Sequence, residues 1–105
     1  MRKIQMKSEG KTKDALSIMK RRYYKNEARQ ADLEAMRINA QAARLIYQLR
    51  TDANLSQKQL AELVGTTQSV ISRLEDDGYE GHSLTMLCRI TVALQKRLVL
   101  TAVEL

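Results

Sequence analysis

Apolar residues recur at helical spacing through the first half of the chain. Leu16, Met19 and Tyr23 begin the pattern, Leu33, Met36, Ala40, Ala43 and Tyr47 continue it, and Leu45, Ile46 and Leu49 widen the stripe near its end. With Asn26 as an N-cap between them, these positions predict a short helix near residues 14–24 and a long one near 27–52, the second with neither Gly nor Pro inside it. Residues 1–13 have many Lys and no sustained periodicity, and are expected to lack fixed structure alone. A helix as long as 27–52 outruns the core of a small domain. Its first half is therefore expected to await a partner or a second copy of the chain.

Asp52, Ala53 and Asn54 end that helix, and Ser56 opens another as an N-cap with Gln59 at the capping-box position. Leu60, Ala61 and Val64 form one face, Gly65 stands where a tight left-handed exit is needed, and Thr66 or Thr67 caps the next helix. Small Ala61 lets the second helix cross close to the first, while Ile71 and Leu74 fall on the side that packs back. The pattern is a helix, a turn and a helix. Ser83 caps a further helix in which Leu84, Leu87, Ile90, Thr91 and Leu94 are expected to close the core. Over residues 97–105 the period changes to two: Leu98, Leu100 and Ala102 alternate with Val99, Thr101, Val103 and Leu105, which predicts a strand. One strand cannot satisfy its own ladder, so Leu98, Val99, Leu100, Thr101, Ala102 and Val103 are expected to pair antiparallel with the same strand of a second copy.

The size and charge of the chain narrow what this organisation can serve. One modest domain with an extension is all that 105 residues support, and a large buried cleft is not expected. The net charge of +6 is unevenly placed: residues 1–31 hold ten Lys and Arg against three acids, a net +7, whereas residues 32–105 hold eight against nine, a net −1. A DNA-binding C-terminal part would thus need a few well-placed cations. No apolar run approaches the roughly 18 residues of a membrane span, and the basic N-terminus lacks the apolar segment of a signal peptide. Cys88, the single cysteine, lies in an apolar helical pattern and reads as a core thiol of a reduced, cytoplasmic chain. His82 has no second His or Cys at ligand spacing, so a surface or capping role is expected and no metal. There is no Gly-rich phosphate loop and no nucleophile motif. Neither catalysis nor a cofactor is expected.

Residues 55–75, LSQKQLAELVGTTQSVISRLE, closely resemble the helix-turn-helix of the XRE or Cro-type family of prokaryotic repressors, and GTTQ is similar to the recognition-helix start of lambdoid phage repressors. The likeness extends less tightly from about Asn39 to Leu105. The long preceding helix together with ALQKRLVLTAVEL resembles the HigA-type antitoxins of toxin–antitoxin pairs. The implied fold is mainly α: a lambda-repressor-like helix-turn-helix bundle over residues 36–96, a basic and partly helical N-terminal extension over 1–35, and the dimerisation strand over 97–105.

The resemblance also implies roles for single residues. Gln57 matches the family's glutamine that holds a phosphate and braces the first glutamine of the recognition helix, here Gln68. Gln68 can bond adenine N6 and N7 together, and Arg73 can reach guanine O6 and N7 or a phosphate. Thr66, Thr67, Ser69 and Ser72 are short enough to let the helix sit deep in the major groove while their hydroxyls bond phosphates or base edges. Val70 either touches a thymine methyl or packs over the preceding helix. Arg50 and Glu75 match the family's structural ion pair. The chain departs from the family's usual ending with Glu75-Asp76-Asp77-Gly78 and a loop that also carries Glu80, acids unfavourable beside a DNA backbone. Two dimer-related recognition helices would stand about 34 Å apart and read a palindromic operator in double-stranded DNA. Three functions are consistent with these features: an autorepressing antitoxin whose residues 14–45 hold a ribonuclease toxin of RelE-like type; a stand-alone, phage-like regulator whose extension is a DNA arm or dimer contact; and a protein-interaction module that does not read DNA.

Overall fold

A computed structural model describes residues 13–105, which form four helices: α1 (Lys13–Asp52), α2 (Gln57–Val64), α3 (Gln68–Leu74) and α4 (Leu84–Ala93). Residues 1–12, expected to lack fixed structure alone, lie outside the described residues, and Lys13 opens α1 instead of closing that segment. The chain divides into two units, residues 1–34 and 35–105.

α1 is a single helix of 40 residues, not the two that Asn26 was expected to separate. The physical reason is cooperativity. An interior Asn costs a helix only about 0.7 kcal/mol relative to Ala, while ending one helix and nucleating another sacrifices several backbone bonds at once. In the first unit the described side chains are largely exposed, Ile18, Met19, Tyr24 and Leu33 among them. Tyr23 and Tyr24 meet edge to face with ring centroids 5.7 Å apart, and the Lys20 ammonium lies 5.9 Å from the Tyr24 ring centroid.

The second unit holds the core, where Ala42 and Ile46 of α1 meet Leu60, Ala61 and Val64 of α2, Ile71 and Leu74 of α3, and Leu87 and Ile90 of α4. α2 lies against both α3 and α4. The buried stripe of α1 is thus Ala42, Ala43 and Ile46, rotated from the expected one, for Tyr47 is exposed; Met36, in the half expected to await a partner, is exposed too. Two alanines allow the close approach that Tyr47 would block, and its ring lies 5.3 Å from the Arg50 guanidinium instead. Two expectations for α4 also fail: Leu84 is exposed, and Cys88 is an exposed free thiol. The face of α4 that packs inward is Leu87, Ile90, Thr91 and Leu94, and Cys88, one residue on from Leu87, is turned about 100° away.

Residues 96–105 are in neither helix nor strand, and no strand occurs among the described residues. Alternation alone does not make a strand, because a lone strand has no ladder partner within one chain. Leu98 packs against the core, whereas Val99, Leu100 and Val103 are exposed.

Gly65 closes α2 in the left-handed region at φ 81° and ψ 39°, and its N–H donates to the Ala61 carbonyl at 2.9 Å. No atom stands within 4 Å of where a Cβ would lie. Only backbone strain opposes a side chain there. Gly65→Ala is expected to lower unfolding stability by about 1–2 kcal/mol, and Gly65→Asn by less because Asn tolerates the left-handed region. Urea unfolding of the two variants checks the order, and equal stability of Gly65→Ala and the parent chain would contradict it.

Candidate nucleic-acid interface

The helix-turn-helix is assembled from caps and buried faces. The Ser56 hydroxyl accepts from the Gln59 N–H at 3.0 Å and the Gln59 side chain accepts from the Ser56 N–H at 2.8 Å, a complete capping box that fixes the start of α2. Beyond Gly65, the Thr67 hydroxyl accepts from the Val70 N–H at 3.3 Å, so Thr67, and not Thr66, caps α3. Ile71 and Leu74 are buried, which turns the opposite side of α3 outward. Gln68, Ser69, Ser72 and Arg73 are all exposed there. Thr67 is exposed too, its hydroxyl 3.2 Å from that of Ser69, and Thr66 is half-buried. Val70 is half-buried against the core, in agreement with packing over the preceding helix.

Glu75, directly after α3, is held from two sides. Arg50 near the end of α1 donates to it through Nε at 2.6 Å and Nη2 at 3.0 Å, and gives its remaining terminal nitrogen to the Leu55 carbonyl at 2.8 Å. Gln57, the first residue of α2, donates its amide to Glu75 Oε1 at 3.1 Å. In the single chain this amide therefore braces Glu75, not Gln68 as the resemblance implied. Side-chain exposure is only 12% for Arg50 and 5% for Glu75. Hydrogen bonding to Glu75 raises the Arg50 guanidinium above its already high range, and burial works in the opposite direction.

His82 does more than the sequence suggested. Its Nε2 lies 2.6 Å from the carbonyl oxygen of Leu74, the last residue of α3, and its Nδ1 lies 3.2 Å from Asn39 Oδ1 on α1. The Asn39 amide nitrogen is committed to the Ala35 carbonyl at 2.8 Å, so an oxygen faces each ring nitrogen. Tyr79 packs edge to face on the ring with centroids 5.3 Å apart. No spacing signal could have announced this link, because its two partners are 8 and 43 residues away. The side chain of Arg89 likewise caps the end of α2, reaching the Val64 carbonyl at 3.4 Å. In the loop that follows α3, Asp76 accepts from the Gly78 N–H at 2.9 Å, and Asp76, Asp77 and Glu80 are exposed. Among the described residues no group of His, Cys, Asp and Glu could hold a metal ion.

The surface has a chemistry suited to base edges: an amide with a donor and an acceptor, hydroxyls and a guanidinium, on a helix whose other side is locked to its support. The lock is testable without DNA. Arg50→Ala strands the Glu75 carboxylate in a nearly dry site and is expected to cost about 3–5 kcal/mol, whereas the double change Arg50→Met with Glu75→Leu is expected to cost far less. Thermal unfolding of both variants checks this, and equal losses would show that no buried charge is stranded.

The family of helix-turn-helix domains matches residues 46–99, just over half of the chain, a span that takes in the end of α1, all of α2, α3 and α4, and the segment after them. No curated protein and no solved structure matches the chain. Among the described residues no helix is long and apolar enough to cross a membrane. Capped α2, left-handed Gly65, short α3 and the family match agree, and the chain belongs to the XRE-type helix-turn-helix family of DNA-binding regulators.

Proposed function

We propose that the chain is a sequence-specific transcriptional repressor, the antitoxin of a type II toxin–antitoxin pair, which autoregulates its operon and neutralises a ribonuclease toxin of RelE-like type. The observation that carries the DNA-reading part is the exposed stripe of Gln68, Ser69, Ser72 and Arg73 on a helix fixed by buried Ile71, Leu74 and the Arg50–Glu75 pair. In this proposal Gln68 and Arg73 read base edges, and Thr66, Thr67, Ser69 and Ser72 bond phosphates or bases. Gln57 adds a phosphate contact through the amide hydrogen that Glu75 leaves unused.

Dimerisation has its own support. Leu98, Val99, Leu100, Thr101 and Val103 border a groove of about 520 Å³ whose lining includes Ile38, Leu45 and Leu84, all exposed. A second copy pairing its own residues 97–105 there would cover apolar surface and complete a ladder. The toxin-holding part is supported by exposed Ile18, Met19 and Leu33 in the first unit, with residues 1–35 as the extension, 36–96 as the DNA-binding domain and 97–105 as the dimerisation segment.

A duplex enriched from a random library by the full chain serves as the test. Gln68→Ala with Arg73→Ala is expected to erase preference for that duplex at two positions of each half-site, at about 1–3 kcal/mol each. A double variant with unchanged preference would refute the assignment. The antitoxin part predicts co-purification with the product of the adjacent reading frame, and deletion of residues 1–36 is expected to abolish it.

A further inference from the structure

The second unit is poorly equipped to supply the electrostatic part of duplex affinity. Residues 35–105 hold eight Lys and Arg against seven acids, a net of only +1, and exposed Asp76, Asp77 and Glu80 stand in the loop immediately after the helix taken to read bases. Duplex binding nevertheless depends on cations that replace condensed counterions, with each neutralised phosphate adding about 0.9 to the slope of log affinity against log salt. A denser run of exposed cations lies on the other unit.

Arg21, Lys25 and Arg29 succeed one another at four-residue intervals along α1, and Arg22 adjoins them, so at 100° per residue the four occupy an arc of about 100°. All four are exposed, and none forms an ion pair among the described residues. Asp14 and Asp32 stand at the two ends of this face, and Glu27 and Glu34 fall on the far side of the helix. From Arg21 to Arg29 the axis advances about 12 Å, a length over which a duplex carries roughly seven phosphate charges. We infer that this face is a sequence-independent seat for the phosphate backbone of duplex DNA. It rests on the proposal that α3 reads DNA, and assigns the two contributions to two units: base choice to α3, salt-dependent affinity to the basic face of α1.

Charge complementarity excludes a basic ribonuclease as the occupant of this face. A membrane surface fits less well, because an in-plane helix needs a continuous apolar side. Opposite the basic arc, Leu16, Met19 and Tyr23 are interrupted by Asn26, Glu27, Gln30 and Glu34.

The test compares the full chain with the variant Arg21→Gln, Arg22→Gln, Lys25→Gln, Arg29→Gln, in which Gln preserves helix propensity and far-UV circular dichroism verifies the helix. Binding to the enriched duplex and to a scrambled duplex is measured from 50 to 200 mM salt. The expected result is a slope smaller by about 3.6 per bound protomer for both duplexes, so that the affinity lost across that fourfold salt range shrinks about 150-fold per protomer, with the preferred base sequence unchanged. Arg21→Lys, Arg22→Lys, Arg29→Lys is expected to keep the parent slope. An unchanged slope in the Gln variant overturns the inference. So does a Gln variant that loses base preference while keeping its slope, or tighter binding of the parent chain to vesicles containing 30% phosphatidylserine than to either duplex. If the parent chain enriches no sequence, the proposal for α3 fails separately, and the slope on the scrambled duplex still decides the role of the basic face.

Discussion

The direction in which α3 faces depends on where the Arg50 guanidinium sits. It ties together residues 50, 55 and 75, and through Glu75 also residue 57, so one planar cation relates α1, the turn before α2, the start of α2 and the end of α3. An ion pair this dry gives back in attraction about what its desolvation costs, so its main effect is geometric. The two parallel bonds of a guanidinium to a carboxylate admit one relative orientation, which a single-point ammonium could not impose. His82 adds a second tie, from the last carbonyl of α3 to Asn39 on α1. The apolar core brings the helices together, and these polar ties set the angle at which α3 is presented.

The second unit is almost electrically neutral, and this suits reading better than holding. Discrimination between base pairs comes from short directional bonds, and neutral amides and hydroxyls supply those without attracting every phosphate in reach. In the proposed DNA reader, the like charge of exposed Asp76, Asp77 and Glu80 would oppose adhesion to arbitrary duplex in the same sense.

Much of the second unit was legible in the sequence because its signals are local. Ser56 with Gln59, Gly65, the caps at Thr67 and Ser83, and the buried sets Leu60, Ala61, Val64 and Ile71, Leu74 are each decided within a few residues by backbone geometry and helical period. Besides the strand expected over 97–105, which is absent among the described residues, the failures were of two kinds. Periodicity gives the width of an apolar stripe but not which part of it meets the core, so Tyr47, Leu84 and Cys88 fit an inward pattern and yet stand outward. Asn favours caps, which marks Asn26 as a boundary, yet in a run without Gly or Pro a weak preference does not stop a helix. Of the candidate interface, the outward side of α3 followed from its buried side. Gln57 bonding to Glu75 and His82 bridging Leu74 and Asn39 could not be foreseen, because such bonds depend on side chains converging from distant parts of the chain.

α3 has only seven residues, fewer than two full turns. Helices shorter than about 12–15 residues do not hold their shape alone in water, so its helicity is a property of the whole second unit. Unfolding anywhere in that unit therefore erases the outward pattern as a whole. Conversely, a ligand that recognises the pattern binds only the folded chain and draws the folding equilibrium toward itself by mass action. Occupancy of that face and resistance of the chain to proteolysis are then coupled quantities, and a molecule released from its ligand is also a molecule closer to degradation.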